Sequence, residues 1–524
     1  MTCRGRHHEE VRHHGVSCAL RRPPQDAMSS DTPSSPPLRT KVLFGAVWMI
    51  ATRWSHRLLG LISTMILARL LMPEDFGLVA TVVAAVAIMD GFFDFGFDLA
   101  LIRDQSAGRA EFDAVWTLRF LKALLFGGLL MASSPWIADY AQAPEVVNIS
   151  LIMGLGIAFK GLENIGVVVF QKELQFDRLF RFRLFPRLIG VAATIGLALW
   201  LRSYWAIVLG SLSRYICEVL FSYWMSDYRP RFRITGMGKL WHFSRWILVN
   251  NVSRQLFNAI DRFTLAGLVS KRDLGYYTVS ADVASTVTVD LMGPAGSALV
   301  PGYAKLQDEP ARLRSAFLIS TAVFIALITP ASIGVWCLAP ELTAVLLGDQ
   351  WHAAAPIIGL FALVWLFYAI AENLGKFMTM SGMQDKAALI GLGRTALFLG
   401  LFYPLFQWGG ITAPIVLKLS LSVLEMIVLF SWCSHRLALP LPALPGMLWR
   451  PAAAAGAMAL ALTYLPLPSE FPTLATLVVK SGLGALVYTL VSLVLWLLSG
   501  RPAGLEAALT SLIVHRRAEP GAVS

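Results

Sequence analysis

The stretch ILARLLMPEDFGLVA at residues 66–80 returns as TLAGLVSKRDLGYYT at residues 264–278. Leu67-Ala68 reappears as Leu265-Ala266, Leu70 as Leu268, Asp75 as Asp273 and Gly77 as Gly275. The register runs back to Trp48 and Trp246 and forward to Ala100-Leu101 and Ala298-Leu299, always 198 residues apart. Both copies are apolar segments broken by a short turn with an acid and a glycine in matching places, so they read as two equivalent helical hairpins. Around them a window of about 19 residues finds fourteen apolar segments. These lie near 42–68, 77–98, 114–134, 146–170, 185–201, 204–225, 241–268, 276–300, 315–338, 353–380, 387–406, 411–433, 447–465 and 474–498. Six segments fit within the repeat interval, and an even number returns the chain to the same side. The halves are therefore expected to be parallel repeats about an axis along the membrane normal.

Composition excludes a soluble protein. Of 524 residues, 56% are hydrophobic and 15% charged, with mean hydropathy +0.62, whereas soluble domains carry roughly 25% charged residues. The expected fold class is an all-α polytopic membrane protein of about fourteen transmembrane helices: two six-helix lobes and two C-terminal helices. The expected division is a disordered cytoplasmic N-terminus over 1–40, an N-terminal lobe over 41–233 and a C-terminal lobe over 234–440. Two further helices over 441–499 and a cytoplasmic tail over 500–524 complete it. The first forty residues lack an apolar signal-peptide core. Met28 opens MSSDTPSSPPLRTK, a plausible alternative start that would exclude the cluster His7, His8, His13 and His14.

The net charge of +11 fits cytoplasmic basic loops better than nucleic acid as a partner. With the N-terminus inside, Arg109, Lys172, Arg178, Arg181, Arg183, Arg187, Arg229, Arg231, Arg233 and Arg312 are assigned to cytoplasmic loops, while the outer loops hold little beyond Arg69, Arg202, Lys271 and Arg272. Both termini are then cytoplasmic. Cys3, Cys18, Cys217, Cys337 and Cys433 lie far apart, which encodes neither a disulfide framework nor a zinc site. There is no GxxxxGK[ST], GxSxG, HExxH or CxxC, so no ATPase, serine hydrolase, metal or cofactor site is expected.

Ionisable groups within spans mark a wet cavity or a partner, because each costs roughly 2.5 to 3.5 kcal/mol to insert. Arg53, His56 and Arg57 share one face of the first span. Asn251, Arg254, Gln255, Asn258 and Arg262 follow a similar spacing on the seventh, its repeat mate. A guanidinium is a planar multi-donor group suited to phosphate, so facing arginines suggest a diphosphate site. The alternative is that Arg53 or Arg254 snorkels to the interface or pairs with Asp94 or Asp261. Asp90, Asp94 and Asp98 form an acidic stripe on the second span, and Asp90, Asp94, Asp261 and Glu372 are candidates for binding a proton or sodium ion. Lys160, Glu163 and Asn164 in the fourth span are echoed by Glu372, Asn373 and Lys376 in the tenth. Lys160 and Lys376 are further cavity candidates, with pairing inside each helix as the alternative. Asp282, Asp290, Lys418 and Glu425 carry less weight, and Gly293, Pro294, Gly296 and Pro301 read as points of bending.

Several stretches resemble oligosaccharide flippases of the Wzx and WzxC type, within the superfamily that also holds multidrug (MATE) exporters and lipid II flippases. They include residues 66–80, DFGFDLALIRDQ (94–105), VVFQKELQFDRLFRFRLFPRLIGV (168–191), YWAIVLG (204–210), residues 258–284, LVPGYAKLQDEPARLRSAF (299–317) and LLGDQWHAAAPII (346–358). Asp261-Arg262 and Gly275-Tyr276-Tyr277 sit where that family carries an Asp-Arg pair and a similar turn. The resemblance covers roughly 42–440. It implies alternating access and movement of an undecaprenyl-diphosphate-linked glycan across a bacterial inner membrane, with a polymerase or export assembly as a further partner. It also implies that the last two helices form a groove for the polyprenyl tail.

Other functions fit the sequence less well, and a pure scaffold role in a polysaccharide assembly complex leaves the buried charge unexplained. A cation-coupled multidrug exporter predicts a cavity of few arginines, which fits the first and seventh spans poorly. A membrane glycosyltransferase or polymerase would need a sizeable outer loop with paired carboxylates, and every outer loop is short. A transporter rather than an enzyme is expected.

Overall fold

The computed structural model describes residues 38–92, 101–102, 107–233, 238–288, 303, 306, 309–440, 443–464 and 472–500. Among them every regular element is helical: α1 (Leu38–Leu70), α2 (Pro73–Phe92), α3 (Arg109–Tyr140), α4 (Glu145–Lys160), α5 (Val167–Lys172), α6 (Phe176–Leu201), α7 (Trp205–Met225), α8 (Gly238–Ala266), α9 (Lys271–Val287), α10 (Pro310–Cys337), α11 (Ala339–Leu346), a 3-10 turn (Asp349–Ala354), α12 (Ala355–Met380), α13 (Gln384–Gly409), α14 (Thr412–Arg436), α15 (Ala443–Tyr464) and α16 (Thr473–Leu498). Setting aside the short α5 and α11, fourteen long helices match the fourteen apolar segments. Nine helical segments among the described residues are long and apolar enough to cross a membrane by length and composition. Of the remaining long helices, α4 and α9 have 16 and 17 residues, and α1 and α8 carry the polar residues that line the cavities below. Trp136, Trp200, Trp408 and Tyr464, near the ends of α3, α6, α13 and α15, are strongly exposed, as amphipathic rings at a membrane interface are. The protein is a multi-pass membrane protein.

The repeated turn residues act as caps. Asp75 accepts hydrogen bonds from the backbone N–H groups of Met72 (3.0 Å) and Tyr204 (2.9 Å), so it closes the start of α2 and ties it to the α6–α7 connection. Ser270 caps α9 by accepting from Asp273 N–H at 3.1 Å, while its hydroxyl bonds the Asp273 carboxylate at 2.7 Å. Acidic residues in a first turn also suit the positive end of the helix dipole.

α1 packs on α6, α3 on α4, and α6 on α7; α12 packs on α10 and α14, and α13 on α14. The two groups meet where α2 packs on α8 and α9. At one end, here the closed end, Trp351 Nε1–H donates to Ala68 O at 2.8 Å, and Tyr140 OH donates to Thr264 O at 2.8 Å. Lys271 pairs with Glu145 at 3.0 Å and Arg272 with Glu74 at 3.6 Å. α15 and α16 pack on each other and on α10 and α11, where Tyr488 OH donates to Ala326 O at 2.8 Å.

The segment expected as one span over 146–170 is divided. α4 stops at Lys160 and α5 begins at Val167, because buried Asn164 spends its groups elsewhere. Its N–H donates to Ser222 Oγ (2.9 Å), its Nδ2 to Tyr228 O (2.6 Å), and its Oδ1 accepts from Gly166 N–H (2.9 Å). Residues 226–233, between α7 and α8, are strapped onto α3. Buried Asp113 accepts from Tyr228 OH (2.7 Å) and Arg231 N–H (2.9 Å), and Thr117 Oγ1 accepts from Arg233 N–H (3.0 Å). The terminal stretches 1–37 and 501–524, with the histidine cluster, and Asp94, Asp98, Asp290, Gly293, Pro294, Gly296 and Pro301 lie outside the described residues.

Candidate substrate cavities

One face of α1 and one face of α6 enclose a cavity of about 610 Å³, lined by Met49, Thr52, Arg53, His56, Arg57, Phe176, Leu179, Arg183 and Arg187. Steps of three and four residues place each set on one side of its helix. Four guanidinium groups face this space and, among the described residues, no carboxylate lines it. Among the described residues Arg53, Arg183 and Arg187 have no ion-pair partner. Arg187 Nε and His56 Nε2 are buried without a hydrogen-bond partner. Arg53, Arg57 and Arg183 are exposed and Arg187 is half-buried, so the cavity presents a solvent-reached cationic face whose multi-donor groups suit an anion.

The second cavity, about 280 Å³, holds charges of both signs, three cations and two carboxylates among its described lining. α8 supplies Asn251, Ser253 and Arg254; α12 supplies Tyr368, Glu372 and Lys376; α13 supplies Arg394 and α14 Glu425. Lys376 pairs with Glu372 at 3.2 Å, one turn apart. Arg394 and Glu425 form a hydrogen-bonded ion pair, and the Arg394 guanidinium stacks 3.6 Å above the Phe257 ring centre. Two ion pairs, an amide and an aromatic ring offer donors and acceptors to a polar group, with Arg254 as the one cation left over from those pairs.

The candidates of the sequence are distributed over several environments. Arg53 and Arg57 line the first cavity, and Asn251, Arg254, Glu372 and Lys376 line the second. Lys160 lies 3.7 Å from Glu218, and Glu163 lies 3.5 Å from Arg119, so the two do not pair with each other. Arg262 pairs with Asp282 at 2.7 Å. Asp261 is almost fully buried, accepting from Lys418 Nζ (2.6 Å) and Tyr277 OH (2.6 Å), while its Oδ1 has no partner. Lys418 in turn sits 5.1 Å from the Phe257 ring centre. Asp90 is exposed and paired with Lys122 at 2.9 Å, and Asp94 lies outside the described residues.

A family model described as "Polysaccharide biosynthesis protein" matches residues 66–356, more than half of the chain. The chain belongs to this family. The matched region begins at Ile66 and ends at Pro356, and so takes in the closed end between the two helix groups. The chain is 23% identical over 372 residues to the lipopolysaccharide biosynthesis protein WzxC of Escherichia coli K12, covering 69% of this chain and 74% of the relative. It is 24% identical over 322 residues to the succinoglycan biosynthesis transport protein ExoT of Rhizobium meliloti, covering 60% of this chain and 64% of the relative. In fold it is similar to the lipid II flippase MurJ in an inward closed conformation, with TM-score 0.68 and 14% identity over 86% of this chain and 98% of that one. It is also similar to an inward-facing MATE family transporter of the MOP superfamily, with TM-score 0.58 and 14% identity over 74% of this chain and 98% of that one.

In this polysaccharide biosynthesis family member, three site residues escaped sequence reasoning. The charge of Arg183 and Arg187 reads as a cytoplasmic loop, but α6 starts at Phe176 and carries both into the helix. Arg394 is buried in the middle of an apolar segment, and its isolation there was the available signal.

Proposed function

We propose that this chain is a flippase that moves an undecaprenyl-diphosphate-linked oligosaccharide repeat unit from the cytoplasmic to the outer leaflet of a bacterial inner membrane. The repeat unit would serve exopolysaccharide, capsule or O-antigen synthesis. The observation that carries the reading is the cavity between α1 and α6, which Arg53, Arg57, Arg183 and Arg187 line and which, among the described residues, no carboxylate lines. A diphosphate and a hydrophilic glycan cannot cross roughly 30 Å of hydrocarbon unaided, and this cavity supplies the positive field. The mixed-charge cavity with Asn251, Arg254, Glu372 and Lys376 suits the hydroxyl groups of the glycan. The apolar groove of about 290 Å³ between α10, α15 and α16, lined by Pro330, Val335, Leu338, Met458 and Leu462, suits the polyprenyl tail.

On this reading both termini are cytoplasmic and the closed end faces outward. Substrate enters from the cytoplasmic side, the two lobes, 41–233 and 234–440, rock about their contact, and the closed end parts to release it. Asp90, Asp94, Asp261 or Glu372 couples the cycle to a proton or sodium ion. The chain transports without acting as an enzyme. A cavity of four arginines disfavours the alternative of a cation-coupled multidrug exporter. Charge reversal by Arg187→Glu or Arg254→Glu should abolish export of the surface polysaccharide at unchanged abundance in the membrane. Wild-type export from both variants would refute the site.

A further inference from the structure

Arg187 on α6 and Glu218 on α7 have counterparts in the second half of the molecule. Arg394 on α13 and Glu425 on α14 each lie 207 residues further along, as do Ala413, Leu419 and Ser420 relative to Ala206, Leu212 and Ser213. The same two charges on the same two packed helices nevertheless behave differently. Arg394 and Glu425 are hydrogen-bonded to each other, with side chains 8% and 11% exposed. Arg187 lies within electrostatic range of Glu218 but forms no ion pair with it. Glu218 is instead held by Arg214 at 2.9 Å and Lys160 at 3.7 Å.

The sequence explains the difference. The residue equivalent to Arg214 is Leu421, so nothing one turn before Glu425 on α14 competes for its carboxylate. Arg214 stands one turn before Glu218, where an i, i+4 pair forms readily. The Tyr215 ring, 4.8 Å from the Arg214 guanidinium and 5.3 Å from Lys160 Nζ, braces both cations. A carboxylate captured in this way makes no ion pair with Arg187. The Nε of Arg187 is buried without a hydrogen-bond partner, as is that of Arg394, so it is a terminal nitrogen of the fork that Glu425 satisfies in one half and Glu218 does not in the other.

We infer that Lys160 and Arg214 are positioning residues: they hold Glu218 away from Arg187 and thereby keep the Arg187 guanidinium available to a diphosphate. The inference rests on the diphosphate reading of the α1–α6 cavity. Without the two cations Glu218 would close on Arg187 as Glu425 closes on Arg394, and the cavity would lose one charge and one fork of donors.

The test is equilibrium binding of geranylgeranyl diphosphate to the full chain in detergent, comparing wild type, Arg187→Gln, Lys160→Met/Arg214→Leu, and that double variant with Glu218→Gln added. One charge-assisted hydrogen bond sets the scale, so the double variant should bind about tenfold more weakly. Adding Glu218→Gln should bring binding back to within about threefold of wild type. Rescue is the discriminating readout, since cations that merely packed α4 on α7 would leave the triple variant as weak as the double. A double variant that binds like wild type, or a triple variant without recovery, overturns the inference. Wild-type chain that fails to bind the probe, or Arg187→Gln that binds undiminished, overturns the diphosphate reading instead. If the double variant does not survive extraction, Arg214→Leu with and without Glu218→Gln closes the same cycle.

Discussion

Gly77 and Gly275 occupy each other's contact in reciprocal fashion. A Cβ on Gly77 would fall 1.9 Å from the carbonyl oxygen of Lys271, and one on Gly275 would fall 1.9 Å from the carbonyl oxygen of Pro73. Pro73 and Lys271 are themselves repeat mates, so α2 and α9 cross about a local twofold axis through a point where only hydrogen atoms fit. The ion pairs Lys271–Glu145 and Arg272–Glu74 lie beside it. This crossing joins the two helix groups at the end where Trp351 and Tyr140 also bridge them.

Gly77→Ala or Gly275→Ala should therefore force α2 and α9 apart by about 1 Å or more, since backbone cannot yield as a flexible side chain does. Cysteines placed at Glu74 and Arg272, on a background without native cysteines, should cross-link several-fold less efficiently in either variant. Gly128→Ala, where a Cβ meets nothing within 4 Å, should leave cross-linking unchanged. Equal yields in all three would remove the crossing from any role in closure.

The cavity arginines make a graded prediction. Arg183→Gln and Arg187→Gln should each weaken diphosphate binding by about tenfold, the worth of a charge-assisted hydrogen bond, and combine to a larger loss. Export measured at matched protein levels should fall in the same order. Arg312→Gln, on an exposed pair with Glu309, should export normally.

Asp261 and Lys418 predict an asymmetry in stability. Both are buried, so removing one partner strands the other, at a cost of roughly 3 kcal/mol. Asp261→Asn and Lys418→Met should each lower the melting temperature in detergent more than the combined Asp261→Leu/Lys418→Met change does. A double variant less stable than either single one would contradict the pairing.

The strap at residues 226–233 should be sensitive to alkali. Burial, then the hydrogen bond to Asp113, raise the Tyr228 phenol above its usual value. A proton held more tightly in the folded strap adds stability that is intact below the ordinary tyrosine range, near pH 10, and is lost as pH rises through the raised value. Proteolysis of the segment should accelerate above about pH 10. Tyr228→Phe should be cut faster at neutral pH and lose this alkaline step; an unchanged profile in that variant would exclude Tyr228 as its source.

Much of this architecture is legible in the sequence because hydropathy and the 198-residue register are local or periodic signals. Gly77 and Gly275 stood out as matching turn residues, although only the packing explains why neither carries a side chain. The break of α4 is hidden because 146–170 stays apolar enough to read as one span despite Lys160, Glu163 and Asn164, and the polar groups that satisfy Asn164 come from Ser222 and Tyr228, far away in sequence. The helical place of Arg183 and Arg187 is not legible, because a run of arginines before an apolar segment is also what a cytoplasmic loop looks like. The partner of Asp261 lies 157 residues away on α14, a pairing that no spacing rule reaches. Arg53, Arg57, Arg254, Glu372 and Lys376 were legible as isolated polar groups in apolar helices, but their division between two cavities was not.

The most direct test of the proposed function is a lipid analysis of a strain lacking the gene. The account predicts that a completed polyprenyl-diphosphate oligosaccharide accumulates on the inner leaflet while the matching surface polysaccharide disappears. Unchanged surface glycan and lipid intermediates, with altered drug sensitivity alone, would contradict it.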